Sequence, residues 1–482
     1  MIPLGYIFSI IYGAVCILAG TVLYKFGIDK RYTRKLVHIL IGAEWFILYH
    51  TVGVGVHFFL VCLLFTLSLA IEYRMKFLPA MSSSGDNAPG TVYYGASMTV
   101  LSFASIFIPD LIFPFGIAVL CTSLGDGIGG IVGSSVKRRN SKIYREKTLF
   151  GTVSMLFVSF VSIFLFSLAY GYRISILSIF LLALFAASVE LVSLRGLDNL
   201  TVPISTAILA YVISLFPLLE SYLLAVSALP LVIAVIYEKR ALTAKGTAVA
   251  AALALLSSAA FRNSGALLLI IYFCAAILTD KIKNIVKKAG QNSTGIAEAK
   301  SQRNAYQVIQ NGGAAFVFAV LHLAFPSEIF AAGFVVSLAE SLADTAASGI
   351  GSLSDNVYDI TRFNRCRVGL DGGVSLLGTL SALVFASTFS ALAYLFGVLS
   401  PGTAALCAAF AFFGMLIDSA LGSRLQPKYK CPICSSLTDK SECCDTKCDM
   451  HSGIKWVTNG TVNLISSLLA SVLLCITLLA IN

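Results

Sequence analysis

Asp126 closes a long apolar run in the segment Ser123, Leu124, Gly125, Asp126, Gly127, and Gly129, Gly130 and Gly133 follow directly. An acid within such sequence is costly and marks a functional site by default. Glycines let backbone N–H groups approach a phosphate, and a carboxylate beside them can hold Mg²⁺ against phosphate oxygens. Cations stand nearby: Arg34 and Lys35 where a basic loop enters a helix, with His38 four residues after Arg34 on the same face. Lys147 precedes Thr148, Leu149, Phe150, Gly151 and Thr152. Glu190 ends another apolar run, ahead of Asp198, Asn199 and Thr201. There are plainer readings. Gly125–Gly133 can be a helix-packing face of small residues, though this leaves Asp126 unexplained. Asp198 and Asn199 can cap a helix with Pro203 in its first turn.

The second half repeats this chemistry. Arg303, Gln307 and Asn311 stand at a helix entrance and suit oxyanion or base recognition. Glu340 and Asp344, at i and i+4 in an apolar helix, share one face and make a plausible Mg²⁺ site. Arg362–Arg367 precedes a Gly-rich turn, Gly372 and Gly373, which opens a helix through Ser375, Gly378 and Thr379. Such a turn suits phosphate; its plain alternative is a flexible turn feeding a packed helix. Asp418 ends a further apolar run.

One polar loop carries Cys431, Cys434, Cys443, Cys444, Cys448 and His451. A Cys-x-x-Cys knuckle with further soft ligands can hold a structural Zn²⁺, for which Cys431, Cys434, Cys443 and Cys448 are the first set. The lack of a second Cys-x-x-Cys leaves the ligands open, and reduced free thiols are the alternative. The cysteines elsewhere, such as Cys16, Cys62 and Cys475, stand singly in apolar runs as small core residues.

The elements that must carry these groups are membrane helices. Of the residues, 57% are hydrophobic and 12% charged, against about 25% charged in a soluble domain, and mean hydropathy is +0.87. Stretches of roughly 20 apolar residues recur along the chain, about sixteen in all, without the alternation of a β-barrel. The expectation is an all-α polytopic integral membrane protein. Ile2–Tyr24 lacks a basic lead and is too long for a signal-peptide core, so it reads as a retained helix, and no transit or lipidation signal is seen.

With the N-terminus outside and each run crossing once, the basic loops fall on the inner side. Only Arg173 and Arg262 fall in outer loops. This predicts a multi-pass cell (inner) membrane protein with cytoplasmic motif loops. The charge of +10 is then an orientation signal rather than a mark of nucleic-acid binding. A charged break at Glu238–Lys245 suggests two units, 1–222 and 223–482, the second with a Cys-rich cytoplasmic loop at 424–457. Each holds a basic loop, an acid at a helix end, a Leu-x-Gly-Thr or Leu-Gly-Thr element and an Asn-x-Thr-Val element. That order suggests a parallel internal repeat.

Nearly all of the first 215 residues resemble the phytol kinase and dolichol kinase family, which is related to CDP-diacylglycerol synthases. The resemblance rests on Arg34, Lys35 and His38; Gly125, Asp126, Gly127 and Gly133; Lys147, Thr148, Gly151 and Thr152; and Glu190 followed by Asp198 to Pro203. It implies phosphorylation of a long isoprenoid alcohol, typically with CTP. From about Leu242 onward the chain resembles the phytyl-phosphate kinase family, through Gln307, Asn311, Asp344, Thr345, Gly351, Gly372–Thr379, Asp418, Gly422, Asn459 and Asn463. Two departures stand out: Gly-Ile-Gly-Gly follows Asp126 where many relatives have a second acid, and Gly349 stands where relatives carry Glu.

These resemblances imply a fusion of two sequential kinases, one making a monophosphate and the other a diphosphate. Asp126, Glu190, Glu340 and Asp344 would bind Mg²⁺. Lys147, Arg34 and Lys35, with Arg303 and Arg367 in the second half, would clamp phosphates, and His38 or Asp198 would take the alcohol proton. Expected partners are CTP, a long-chain isoprenoid alcohol, its monophosphate and membrane lipid. The alternatives are a phosphatidate cytidylyltransferase-like enzyme and, less in keeping with motifs gathered at helix ends, a transporter.

Overall fold

The computed structural model describes residues 2–75, 89–135, 142–194, 196–238, 240–290, 302–366, 368, 370–435, 437–439, 441–444 and 446–481. It is a helical membrane protein of two compact units, Met1–Lys239 and Arg240–Asn482.

The first unit begins with α1 (Ile2–Lys25), α2 (Lys30–Ile41), α3 (Glu44–Thr51), α4 (Val56–Met75) and α5 (Gly90–Phe107). Then α6 (Ile112–Leu120) runs through a π-helical turn at Cys121–Asp126 into α7 (Gly127–Ser135). A short hairpin of β1 (Lys142–Tyr144) and β2 (Lys147–Thr148) leads to α8 (Leu149–Tyr170), α9 (Ile176–Val192), α10 (Asp198–Leu215) and α11 (Leu223–Glu238). Because α11 packs on α9, it goes with the first unit rather than the second, where a boundary at 222 would put it.

The second unit comprises α12 (Ala244–Gly290), α13 (Ala305–Ala324), α14 (Glu328–Gly351), β3 (Tyr358–Asp359), β4 (Gly373–Val374), α15 (Leu376–Leu395) and α16 (Pro401–Leu425). A loop with β5 (Lys428–Lys430), β6 (Leu437–Thr438), β7 (Glu442–Cys443), β8 (Thr446–Lys447) and β9 (Asp449–Ser452) separates α16 from α17 (Asn459–Ile481). These small sheets modify the all-α expectation. They form in polar loops, where extended backbone pairs its own N–H and C=O groups.

Twelve helices among the described residues are long and apolar enough to cross a membrane, against about sixteen read from the sequence. The difference has local causes. The first basic motif lies on α2, which with the 8-residue α3 forms two short helices. Helix α9 has 17 residues, and α5 carries many Ser, Thr and Tyr side chains. Helix α12 reverses: Arg262 has φ +56°, and a Cβ on Gly265 would lie 2.1 Å from Ser257 O. In a straight helix those residues would be about 12 Å apart.

Among the twelve long spans, one in each unit is far more enclosed than the others: Pro109–Ser135 in the first and Glu328–Gly351 in the second. Phe115, Ile117, Leu181 and Leu182 form part of the first core, and Phe334, Leu338, Phe389 and Met415 part of the second. Outer faces carry exposed Leu, Ile and Phe, as helices solvated by lipid tails do.

Candidate functional site

In the first unit, four helix ends converge: the close of α7 and the starts of α8 and α10 meet the close of α9, with α2 beside them. They line a cavity of about 760 Å³. The start of α8 is set locally. Thr148 has extended backbone, and its hydroxyl accepts a hydrogen bond from Gly151 N at 3.3 Å, an N-cap worth about 1 kcal/mol. A Cβ on Gly133 would lie 3.3 Å from Gly151 Cα, so these two glycines let α7 and α8 close together.

Asp126 is buried at the end of the π-helical turn, a distortion often found at functional sites. Its Oδ2 lies 2.7 Å from Lys35 Nζ and 3.8 Å from His38 Nε2. The second separation exceeds a hydrogen bond. His38 Nε2–H instead donates to Thr122 O at 3.1 Å, which leaves Nδ1 as the basic nitrogen of the neutral ring. The ring is held edge-on against Tyr94, with centroids 5.0 Å apart.

Lys147, the first residue of β2, donates to Glu190 Oε1 and lies 3.3 Å from Asp198 Oδ2. Burial alone would lower its pKa, but the carboxylates of Glu190, Asp198 and Asp126 outweigh that and hold the ammonium well above its ordinary value. Asp126, Glu190 and Asp198 each bring one oxygen within 4.8 Å of the others. Such hard, anionic donors fit Mg²⁺. Arg34, Gly133, Gly151, Thr152 and Asn199 also line the cavity.

Gly125 and Gly127 do not line it. Cβ atoms there would lie 2.3 Å from Ser159 Oγ and 2.4 Å from Ile39 Cγ1. The glycine run is helical rather than a loop of free N–H groups; Gly125 and Gly127 pack neighbouring helices, whereas Gly129, Gly130 and Gly133 face the cavity. Lining residues that sequence reasoning passed over include Tyr94 and Glu72, neither of which carries a motif signal.

The second unit builds its site from matching parts. The close of α14, the start of α15, the close of α16 and the start of α17 surround a cavity of about 160 Å³. Asp344 lies seven residues before Gly351, the spacing of Asp126 and Gly133. Ser375 caps α15 by accepting from Gly378 N at 3.1 Å, and a Cβ on Gly351 would lie 3.0 Å from Gly378 Cα. Asp418 holds the place of Glu190, and Asn459 that of Asn199. Val374 stands where the first unit has Lys147. Gly372, Gly373 and Thr379 also line this cavity. At Gly372, φ is +83° and a Cβ would lie 2.4 Å from Ser423 Cβ, so glycine is required there.

Several expected ligands lie elsewhere. Glu340 is buried beneath the cavity, where Ser466 Oγ donates to its Oε1 at 2.8 Å and to Asp418 Oδ2 at 3.0 Å. Asp418, rather than Glu340, therefore stands with Asp344 at the cavity wall. The Gln307 side chain accepts from Asn304 N in a capping box. Asn311 accepts from Asn463 Nδ2 at 3.1 Å. The Arg303 backbone bridges to the strand-like start of the unit at Leu242. None of these four residues lines the cavity. Arg367 lies outside the described residues, as does the Cys443 side chain.

Asp371 is a further acid at this mouth, beyond those picked out from the sequence. Burial and the nearby Asp439 carboxylate push its pKa up to about 7, against a downward pull from Lys428. Asp439 Oδ2 also accepts from Asp371 N at 3.0 Å. Asp359 goes the other way. Although burial raises it, hydrogen bonds from Thr361, Ser423 and Arg362 hold it at about 2. Its Asp-x-Thr spacing is a recognisable Asx-turn signal.

Comparison with known proteins agrees with a membrane-embedded fold. Residues 227–471 match the family described as integral membrane protein DUF92. The chain is 32% identical over 190 residues to a phytol kinase of Synechocystis sp., covering 37% of this chain and 78% of that protein. It is 29% identical over 238 residues to Protein VTE6, chloroplastic, of Arabidopsis thaliana, covering 48% of this chain and 63% of that one. Protein PGR of the same plant is 30% identical over 246 residues, 45% of this chain and 81% of its own. No solved structure matches. Two compact helical units with acids at buried helix ends thus accompany sequence kinship over half the chain or more, and the protein belongs to the DUF92 family of integral membrane proteins and is a relative of phytol kinase.

Proposed function

We propose that this protein is a CTP-dependent isoprenoid kinase with two sites. The first unit would phosphorylate a long-chain prenol, and the second would convert the monophosphate to the diphosphate. The observation that carries this reading is the gathering of Asp126, Glu190 and Asp198 within 4.8 Å, bracketed by Lys35 and Lys147 in a large cavity. Kinship with a protein named phytol kinase supports the substrate class.

Phosphoryl transfer needs mainly positioning and electrostatic stabilisation. Mg²⁺ bound by the three carboxylates would neutralise charge on the nucleotide phosphates. Lys35 and Lys147, now paired with those carboxylates, would turn to the phosphoryl oxygens as nucleotide enters, and Arg34 would meet its outer phosphates. The N-terminal amides of α8 add positive potential from the helix dipole. The prenol O–H would lose its proton to His38 Nδ1, or to Asp198 if Asp126 and Glu190 alone hold the cation, as its oxygen bonds to the γ-phosphorus and CDP leaves. In the second unit Asp344 and Asp418 would hold the cation, and the capped start of α15 would receive the lipid phosphate.

The proposed topology has sixteen crossings, obtained by adding α5, α9 and the α2–α3 pair to the twelve long helices and counting both arms of α12. The motif-bearing helix ends would then face the cytoplasm, with the N-terminus outside.

The test uses purified full-length protein in detergent with Mg²⁺ and phytol or geranylgeraniol. CTP is labelled at either the α- or the γ-phosphate. Sequential γ-labelled mono- and diphosphate, with the first step lost in Asp126→Ala and the second in Asp344→Ala, is the expected result. Transfer of α-label to a lipid would make the protein a cytidylyltransferase. No labelled lipid from folded protein would refute both enzyme readings.

A further inference from the structure

The segment between Glu190 and Asn199 in the first unit is short, whereas that between Asp418 and Asn459 carries a long cysteine-bearing insertion. Within it, β5 pairs with both β6 and β9, and β7 pairs with β8. Cys431 and Cys434 lie in the turn joining β5 to β6, and Cys444 lies in the β7–β8 turn. The Sγ atoms of these three cysteines all lie within 4.8 Å of one another. Cys431 is fully buried although its two partners are exposed. Ser435 N donates to Cys431 O at 2.9 Å, and both Ser435 and Cys444 adopt positive φ, +54° and +53°. That conformation is uncommon for residues other than glycine and persists only where surrounding structure demands it.

We infer that Cys431, Cys434 and Cys444 hold a structural Zn²⁺ that fixes the insertion at the mouth of the second cavity. Thiolate donors select zinc, which takes them tetrahedrally. Each thiol releases its proton on binding, so the ion's charge is met by deprotonated sulfur. A fourth donor would complete the tetrahedron around these three thiolates. The consequence reaches the cavity through one hydrogen bond. Asp439, next after β6, accepts from Asp371 N, and Asp371 lines the cavity. An ion clamping the β5–β6 turn therefore sets where that acid sits. The site is independent of the proposed kinase chemistry.

The test is the metal content of full-length protein purified in detergent, measured by elemental mass spectrometry, together with alkylation of exposed Cys434 and Cys444. About one zinc per chain is expected, with both thiols protected from maleimide until a chelator is added. Cys431→Ser/Cys434→Ser should lose the zinc. If that variant does not fold, titrating the wild type with a mercurial should release one zinc per chain. Wild type without zinc, whether its thiols react at once or are locked in a disulfide, would overturn the inference. So would zinc retained by the folded double variant.

Discussion

Lys35 Nζ sits 2.7 Å from Asp126 Oδ2, an ion pair between residues 91 positions apart that ties α2 to the π-helical turn. Both side chains are largely shielded. Removing the lysine takes away the nearest cation to a buried carboxylate that keeps His38 and Lys147 in its surroundings, at a cost of about 1–3 kcal/mol. Lys35→Met should lower the melting temperature in detergent, and Lys35→Met/Asp126→Leu should recover most of the loss. Neither variant should phosphorylate prenol, so stability and turnover measured together separate the two roles.

The glycines that join helices should be far less tolerant than those in open space. A Cβ on Gly378 would lie 2.8 Å from Ala347 O and 3.1 Å from Gly351 Cα, so backbone would have to move. Gly378→Ala should destabilise by about 1–3 kcal/mol. Gly402, in the first turn of α16, has nothing within 4 Å. Gly402→Ala should be neutral or stabilising by up to ~1 kcal/mol, the helix-propensity gain. Thermal melting of the two variants checks the contrast.

Glu340 and Asp418 share Ser466 but differ in access to the cavity. Under the two-site reading, Asp418→Asn should reduce diphosphate formation by about 10²-fold or more, the scale of losing one group that stabilises transition-state charge. Glu340→Gln keeps an acceptor for Ser466 and should stay within a few-fold of wild type. Rates measured with prenyl monophosphate as substrate decide this, and equal losses would count against assigning the cation to Asp418.

Asp371 should give the protein a pH-dependent stability. Unfolded, its carboxyl titrates near ~3.9; folded, burial and Asp439 push it to about 7. Between those values the folded chain retains a proton that the unfolded chain has lost. Stability from this group is thus greatest at low pH, falls as pH rises through the window, and levels off above it. Asp371→Asn should flatten the decline in melting temperature between about pH 4 and 7. Asp359, held at about 2, acts in a separate window and loses its contribution only as pH falls from about 4.

Much of this protein could be read without its tertiary structure. Apolar length dictates membrane helices, because backbone in lipid must satisfy its own hydrogen bonds. Asp126, Glu190, Asp344 and Asp418 stood out because an ionisable group in such sequence needs a reason. The capping roles of Thr148 and Ser375 depend on residues three positions away, so local sequence exposes them. Which acid meets which cation was not legible. Lys35 meets Asp126 and Lys147 meets Glu190 only because distant helix ends converge. The glycine run after Ser123 could be read as a phosphate nest or as a helix-packing face, and the neighbouring Ser159 and Ile39 decide for packing at Gly125 and Gly127. Likewise, i,i+4 spacing put Glu340 and Asp344 on one face but not at one depth, and only the packing of α14 against α16 and α17 seats Glu340 below the cavity. In the cysteine loop, spacing named the ligand types, but only the folded loop shows Cys444 of the β7–β8 turn lying beside Cys431 and Cys434. Spacing along a chain fixes direction within one element, whereas distance between elements is set by how their faces pack.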